Sequence, residues 1–219
     1  KKNLNNLILN KNRYEGAKTA LENNYDVLIL DDGLQDKSVF KNLNIVCFNS
    51  PQLCGNNLTI PAGPLREPLN KIKNYEIVVI NSNDESELEF FKKEIKKLSP
   101  NISIYHSKYI VDIQVIKKLY NKKIYAFAGI GNPDNFFKLL TDNKLDLQKR
   151  VSYPDHYNFS RNELKEIISF AKKNDLELIT TEKDFFRIKD LGFKEINFLP
   201  IFLKIEEKEK FIKEIESYI

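Results

Sequence analysis

The sequence predicts an α/β protein built on mostly parallel sheets. Two observations carry this. Residues 25–30, 43–48 and 76–81 are short, largely apolar runs rather than alternating ones, and 123–128 and 176–181 read as further strands, as expected of strands covered on both faces. Between several of them lie stretches with helical spacing of apolar residues, notably 84–98 and 160–173, and strands alternating with helices imply a parallel sheet. A length of 219 residues suits one large α/β domain or two small ones.

Taken in order, residues 14–23 read as the end of a helix, with Ala17, Ala20 and Leu21 on one side. Strands follow at 25–30, 43–48 and 76–81. The stretch 49–75 between the last two is a long loop rich in Pro, Gly and Asn, and a loop of that length is usually functional. The helix at 84–98 takes Ser82 or Asp84 as its cap and turns Leu88, Phe91, Ile95 and Leu98 to one face. Residues 102–114 alternate apolar and polar, which predicts a half-exposed strand or connecting ribbon, with a domain boundary near residue 120. Beyond it come a strand at 123–128, a turn at 129–133 and a helix at 133–141 with Asn132 as cap and Pro133 in its first turn. The chain then reads strand 146–153, helix 160–173 capped by Ser160, strand 176–181, short helix 182–189, strand 197–204 and closing helix 206–218.

Composition narrows the function. A net charge of +4 is too mild to imply a nucleic-acid partner, and Lys and acidic residues alternate along the predicted helices as solvated faces do. Cys47 and Cys54 are too few for a disulfide framework or a metal knuckle. Cys47, in an apolar run, is expected to be a core thiol, which fits a reducing cytoplasm. No apolar run approaches the roughly 20 residues of a transmembrane helix. There is no Met in the chain, and an initiator Met is not normally trimmed before a bulky Lys, so the chain is expected to be a fragment lacking its true N-terminus.

Five stretches carry candidate chemistry. Val27 to Leu30 runs into Asp31, Asp32 and Gly33; paired acids at a strand tip suit Mg²⁺ coordination, while Asp-Gly is also a common surface turn. Pro61 to Leu69 holds three prolines and a glycine on a rigid path, and carries Arg66 beside Glu67. A guanidinium on a stiff loop suits a phosphate or carboxylate; a structural Arg–Glu pair is the alternative. The Gly129-Ile130-Gly131-Asn132-Pro133 turn opens a helix and so offers an anion site, but it lacks the third glycine and the Lys of phosphate loops and reads equally as a tight turn. His156 follows Asp155 in a loop after a strand, an arrangement suited to a general base and also to packing. His106, in an alternating strand, reads as structural. Thr181 to Asp184 is a strand-to-helix junction and reads as a cap at least as readily as a site.

In this order along nearly the whole chain, Leu30-Asp31-Asp32-Gly33-Leu34-Gln35, Pro61-Ala62-Gly63-Pro64-Leu65-Arg66-Glu67-Pro68, Ala126-Phe127-Ala128-Gly129-Ile130-Gly131-Asn132-Pro133, Tyr153-Pro154-Asp155-His156 and Thr181-Glu182-Lys183-Asp184 resemble the tetraacyldisaccharide 4'-kinase family, the lipid A 4'-kinases of Gram-negative bacteria. The resemblance implies two α/β/α lobes with mostly parallel sheets joined by a β-ribbon hinge, the first lobe incomplete. It assigns 1–100 to the C-terminal part of the nucleotide- and Mg²⁺-binding lobe, 101–121 to the hinge ribbon and 122–219 to a smaller C-terminal lobe. The implied reaction is transfer of the γ-phosphoryl group of ATP to the 4'-hydroxyl of tetraacyldisaccharide 1-phosphate, giving the lipid A precursor lipid IVA at the cytoplasmic face of the inner membrane. In that scheme Asp31 and Asp32 hold Mg²⁺, and His156 is the imidazole of an Asp–His pair that activates the hydroxyl; the partner Asp belongs to the family's Gly-Asp-Glu segment, for which Asp155 substitutes in part here, and Gln35, Arg66 and Glu67 lie near the phosphates and substrate headgroup.

Two departures bear on this expectation. Asp36 stands where many family members have His or Asn, and a carboxylate there repels phosphate. The family's phosphate loop, its Ser-Arg-Gly-Tyr-Gly and Gly-Asp-Glu segments and its N-terminal membrane-facing helix are absent from these residues. This leaves the cofactor-binding residues unassigned and predicts that the chain by itself is inactive and poorly soluble, with an uncovered apolar edge at 25–30. Two other readings remain open at this stage: a nucleotide-sugar-binding, glycosyltransferase-like protein, and a non-catalytic binding module.

Overall fold

The computed structural model describes residues 6–50, 52–82 and 85–219. It divides into two compact units, one of residues 1–108 with 204–219 and one of residues 109–203. The C-terminal segment 204–219, grouped with the second lobe from the sequence, thus belongs to the first unit. The fold is mixed α/β with two mostly parallel four-stranded sheets.

The first unit contains helix α1 (Arg13–Glu22), strands β1 (Ile45–Asn49) and β2 (Ile77–Asn81), helix α2 (Glu85–Leu98) and strand β3 (Ser103–Val111). In the second unit the order is α3 (Ile113–Leu119), β4 (Lys123–Ala128), α4 (Pro133–Asp142), β5 (Asp146–Ser152), α5 (Arg161–Lys173), β6 (Glu177–Thr181), α6 (Glu182–Ile188) and β7 (Ile196–Leu199). Strand β8 (Ile201–Ile205) and helix α7 (Lys208–Glu216) return the chain to the first unit. The first sheet has the order β1-β2-β3-β8, and both passages between the units run within β3 and β8.

The period of two explains how the second unit is covered. Along β4, Ile124, Ala126 and Ala128 face one cluster with Ile116 and Leu119 of α3 and Phe136, Phe137 and Leu140 of α4. Tyr125 and Phe127 face the opposite cluster, against Leu164, Ile167, Ile168 and Ala171 of α5. Both faces of β4 are therefore apolar, which is why its sequence runs on without polar alternation. Ser160 starts α5 in a full capping box with Glu163. In the first unit Val78 and Ile80 of β2 pack on Leu88, Phe91 and Ile95 of α2, and Ile77 and Val79 pack with Tyr105 toward α7.

Several expectations are corrected. Residues 25–30 form no strand: a strand exists by its ladder, and Val27–Leu30 and β1 line a common cavity without pairing. Val27, Leu28 and Ile29 are accordingly 47, 42 and 88% exposed, the uncovered apolar surface anticipated for this stretch. Asp31 and Asp32 thus stand in a turn, with Asp32 at a positive φ of 52°. Leu21 and Leu98, expected on buried helix faces, are exposed; Ala20 alone is buried in α1. Cys47 is exposed rather than a core thiol, on a strand at the edge of its sheet. The strand expected to run through residue 114 stops at Val111, where the Asp112 carboxylate caps α3 by accepting the Gln114 N–H at 2.8 Å. The strand expected at 197–204 divides at Pro200, which lacks the N–H to continue a ladder. Asp84, a candidate cap of α2, lies outside the described residues. His106 is structural as expected, its Nε2 2.6 Å from the Ser82 carbonyl and its Nδ1 3.0 Å from Glu206.

Candidate functional site

Each unit carries one cluster of the predicted residues. In the first, Asp31, Asp32, Gln35, Arg66 and Glu67 all line one partly open cavity of about 1090 Å³. The carboxylate of Asp32 pairs with the Arg66 guanidinium at 2.5 Å. That hydrogen bond, outweighing desolvation and aided by the charges of Arg66 and Arg13, holds Asp32 below the usual carboxylate range. Glu67 turns away from this pair and accepts the Tyr75 hydroxyl at 2.6 Å. Burial, then that bond, pushes the Tyr75 phenol up to about 12.

The turn carrying the acids is fixed by two cations. Arg13 donates to the backbone carbonyl of Asp32 at 2.9 Å and pairs with Asp36 at 3.1 Å. Lys41 donates to the carbonyls of Gly33 at 3.1 Å and of Asp36. Asp36 also accepts the Ser38 hydroxyl and N–H, at 2.5 and 2.7 Å, and with Arg13 these bonds lower its pKa. Its charge is neutralised within the turn, so Asp36 fastens this segment to α1 instead of facing a phosphate as a free carboxylate.

Arg66 is held by a loop that folds back on itself. Ile60 N–H donates to the Leu65 carbonyl at 2.8 Å and Leu65 N–H to the Leu58 carbonyl at 3.2 Å. The Ile60–Pro61 peptide is cis. Gly63 sits where a Cβ would run into the Asn56 side-chain oxygen and the Leu58 carbonyl, a backbone atom that cannot step aside. Gly63→Ala is therefore expected to cost about 1–3 kcal/mol and to displace Arg66; thermal unfolding monitored by circular dichroism would register the loss.

The second cluster lies at the C-terminal ends of β4, β5 and β6. The sheet order β5-β4-β6-β7 reverses direction at β4, and ligands of open α/β sheets bind outside the strand ends at such a switch point. Here Asp184, fully buried, accepts the Gly129 N–H and the Thr181 hydroxyl, each at 2.8 Å, and pairs with Arg187 at 3.0 Å. Thr181 also caps α6 by accepting the Asp184 N–H, so the capping reading of this junction holds alongside its place in the cluster. The Gly129 carbonyl accepts the His156 N–H at 3.2 Å and Arg187 at 3.1 Å. A Cβ at 129 would press on Tyr157 at 3.1 Å and touch Asp184 and the Pro154 carbonyl at 3.4 Å.

The imidazole of His156 is exposed, with its Nδ1 2.8 Å from Arg187 Nη2. Asp155, expected to orient the ring, stands 3.7 Å from Nε2, too far for a hydrogen bond; it accepts the His156 N–H at 2.9 Å and pairs with Lys183 at 3.4 Å. Burial raises the Asp155 pKa, but the charges of His156 and Lys183 and its hydrogen bonds outweigh it and leave the group lowered. Sequence reasoning missed Arg187 as the partner of the histidine. A signal existed, since Asp184 and Arg187 stand three apart on a helix opening from a strand tip, but the 31-residue separation from His156 is bridged only in the fold.

Across residues 1–219 the chain matches the family model for tetraacyldisaccharide-1-P 4'-kinase, LpxK. The chain belongs to this kinase family. It is 41% identical over 204 residues to the tetraacyldisaccharide 4'-kinase of Pelagibacter ubique HTCC1062, covering 93% of this chain and 64% of that one. With the enzyme of Rickettsia akari it shares 33% over 189 residues, 85% of this chain and 55% of the relative. Among solved structures it resembles LpxK of Aquifex aeolicus, crystallised with ATP, at 25% identity and a TM-score of 0.66, covering 94% of this chain and 62% of that one. The chain thus spans about 55–64% of the length of these relatives.

Proposed function

We propose that the whole protein is an ATP-dependent kinase that phosphorylates the 4'-hydroxyl of tetraacyldisaccharide 1-phosphate to give lipid IVA. The observation that carries this reading is the family match over all 219 residues, with the five candidate residues of the first unit lining one cavity. We also assign that unit to nucleotide and Mg²⁺ binding, the second to the acceptor hydroxyl, and the protein to the cytoplasmic face of the inner membrane. Among the described residues no helix is long and apolar enough to cross a membrane.

The donor set suits magnesium. Among the described residues no three His, Cys, Asp or Glu side chains are grouped to cage a metal, but Mg²⁺ uses one or two carboxylates and completes its shell with phosphate and water. Asp31 and Asp32, both exposed to the cavity, offer that pair; the ion, when bound, neutralises phosphate charge. Arg66 uses one of its five N–H donors on Asp32 and keeps others for a phosphate oxygen. Gln35 offers an amide to the same space. In the second unit Asp155 and His156 supply the acid–base pair, and positioning of the hydroxyl matters more than base strength because the transition state of phosphoryl transfer is loose.

The test is incubation of the full-length protein with γ-labelled ATP, Mg²⁺ and the tetraacylated disaccharide 1-phosphate. The expected product carries the label on the 4'-oxygen. ATP hydrolysis without transfer, or label at another hydroxyl, overturns the assignment.

A further inference from the structure

The ring of His156 lies between two cations that make opposite demands on it. Arg187 Nη2 is 2.8 Å from Nδ1, and Lys183 Nζ is 3.4 Å from Nε2. Guanidinium and ammonium groups carry only donors. A neutral imidazole accepts at one nitrogen and carries its proton on the other, so it satisfies one cation at a time. The contact with Arg187 is the shorter and the better anchored. Arg187 is itself fixed by the buried Asp184 carboxylate at 3.0 Å and the Gly129 carbonyl at 3.1 Å, while the Lys183 ammonium ends a flexible, half-exposed chain and also leans on Asp155.

We propose that Arg187 is a positioning residue that sets the tautomer of His156, placing the ring proton on Nε2. His156 then presents Nε2–H as a donor and has no free lone pair with which to take a proton. This rests on the kinase reading for its catalytic meaning: the imidazole orients a partner through its Nε2–H rather than taking the acceptor proton itself. The imidazole carries no proton away in this scheme, because its one lone pair at Nδ1 is occupied by Arg187.

The tautomer is measurable without turnover. The chain holds only two histidines, so ¹⁵N-histidine labelling and long-range proton–nitrogen correlation, at a pH above the ordinary imidazole range, resolve His106 and His156 separately. The expected result is an Nε2–H ring at His156 in the wild type and in Lys183→Met. In Arg187→Leu, Lys183 is left as the only cation on the ring, and the proton moves to Nδ1. Arg187→Gln, which keeps an N–H donor, retains Nε2–H, and an unchanged circular-dichroism spectrum and thermal unfolding certify the fold of each variant. An Nδ1–H ring in the wild type, a tautomer that moves in Lys183→Met, or one that does not move in a folded Arg187→Leu overturns the proposal. Loss of the kinase reading leaves these shifts unaffected, so the two fail separately.

Discussion

Replacing Asp184 by Ala is expected to lower the unfolding free energy of the second unit by about 3–5 kcal/mol, the usual cost of removing one partner from a buried ion pair. The magnitude follows from what Asp184 holds. Its carboxylate has no solvent exposure and satisfies three donors from three places in the chain: the Gly129 N–H after β4, the Thr181 hydroxyl at the end of β6 and the Arg187 guanidinium on α6. Truncation leaves a buried N–H and a part-buried guanidinium without their acceptor, and opens a void at the strand ends. Asp184→Asn is expected to cost less, because one acceptor oxygen survives. The chain has no Trp, so urea unfolding is best followed by far-ultraviolet circular dichroism, with hydrogen exchange on β4 and β6 to localise the loss. A variant as stable as the wild type would show that the cluster is not held together by this carboxylate.

The second large effect is on turnover. Exchanging Asp31 and Asp32 together for Asn is expected to lower kcat/KM for phosphoryl transfer by about a hundredfold or more, the scale on which a preorganised electrostatic group acts at a charged transition state. Folding should be little affected, since both side chains are exposed and their turn is fixed through backbone carbonyls by Arg13 and Lys41. Asp32→Asn removes a carboxylate and also frees Arg66, whereas Asp31→Asn leaves the Asp32–Arg66 pair intact, so comparing the two single substitutions separates loss of a metal ligand from release of a phosphate-binding cation. Steady-state kinetics on the single and double variants checks both. Retention of wild-type kcat/KM in the double variant would remove these acids from the reaction.

What the sequence made legible follows from where the information was local. The strand at 123–128 was readable because both its faces are buried, which leaves an uninterrupted apolar run, and α5 because Ser160 and Glu163 form a reciprocal cap three residues apart. The same rule misled at 25–30. An apolar run registers burial potential, and pairing needs a neighbouring strand that the described residues do not supply. Pro200 breaks the chain between β7 and β8, while the apolar character continues on either side of it. At the site, residues adjacent in sequence to the chemistry were found, and those brought in by the fold were not. Asp155 was read as the partner of His156 because it is next to it, whereas the chain turns the ring toward Arg187, with His156 itself at a positive φ of 60°. Asp36 looked hostile to phosphate only while Arg13 and Ser38 were not known to hold it.

The central claim is that the cavity holding Asp31, Asp32 and Arg66 receives a magnesium–nucleotide complex. The most direct measurement is calorimetric titration of ATP into the full-length protein, with and without Mg²⁺, for the wild type and the Asp31→Asn/Asp32→Asn variant. Magnesium is expected to tighten ATP binding in the wild type and to leave it unchanged in the variant, while binding without the metal remains comparable in both. A magnesium-dependent gain of the same size in both proteins would contradict the assignment.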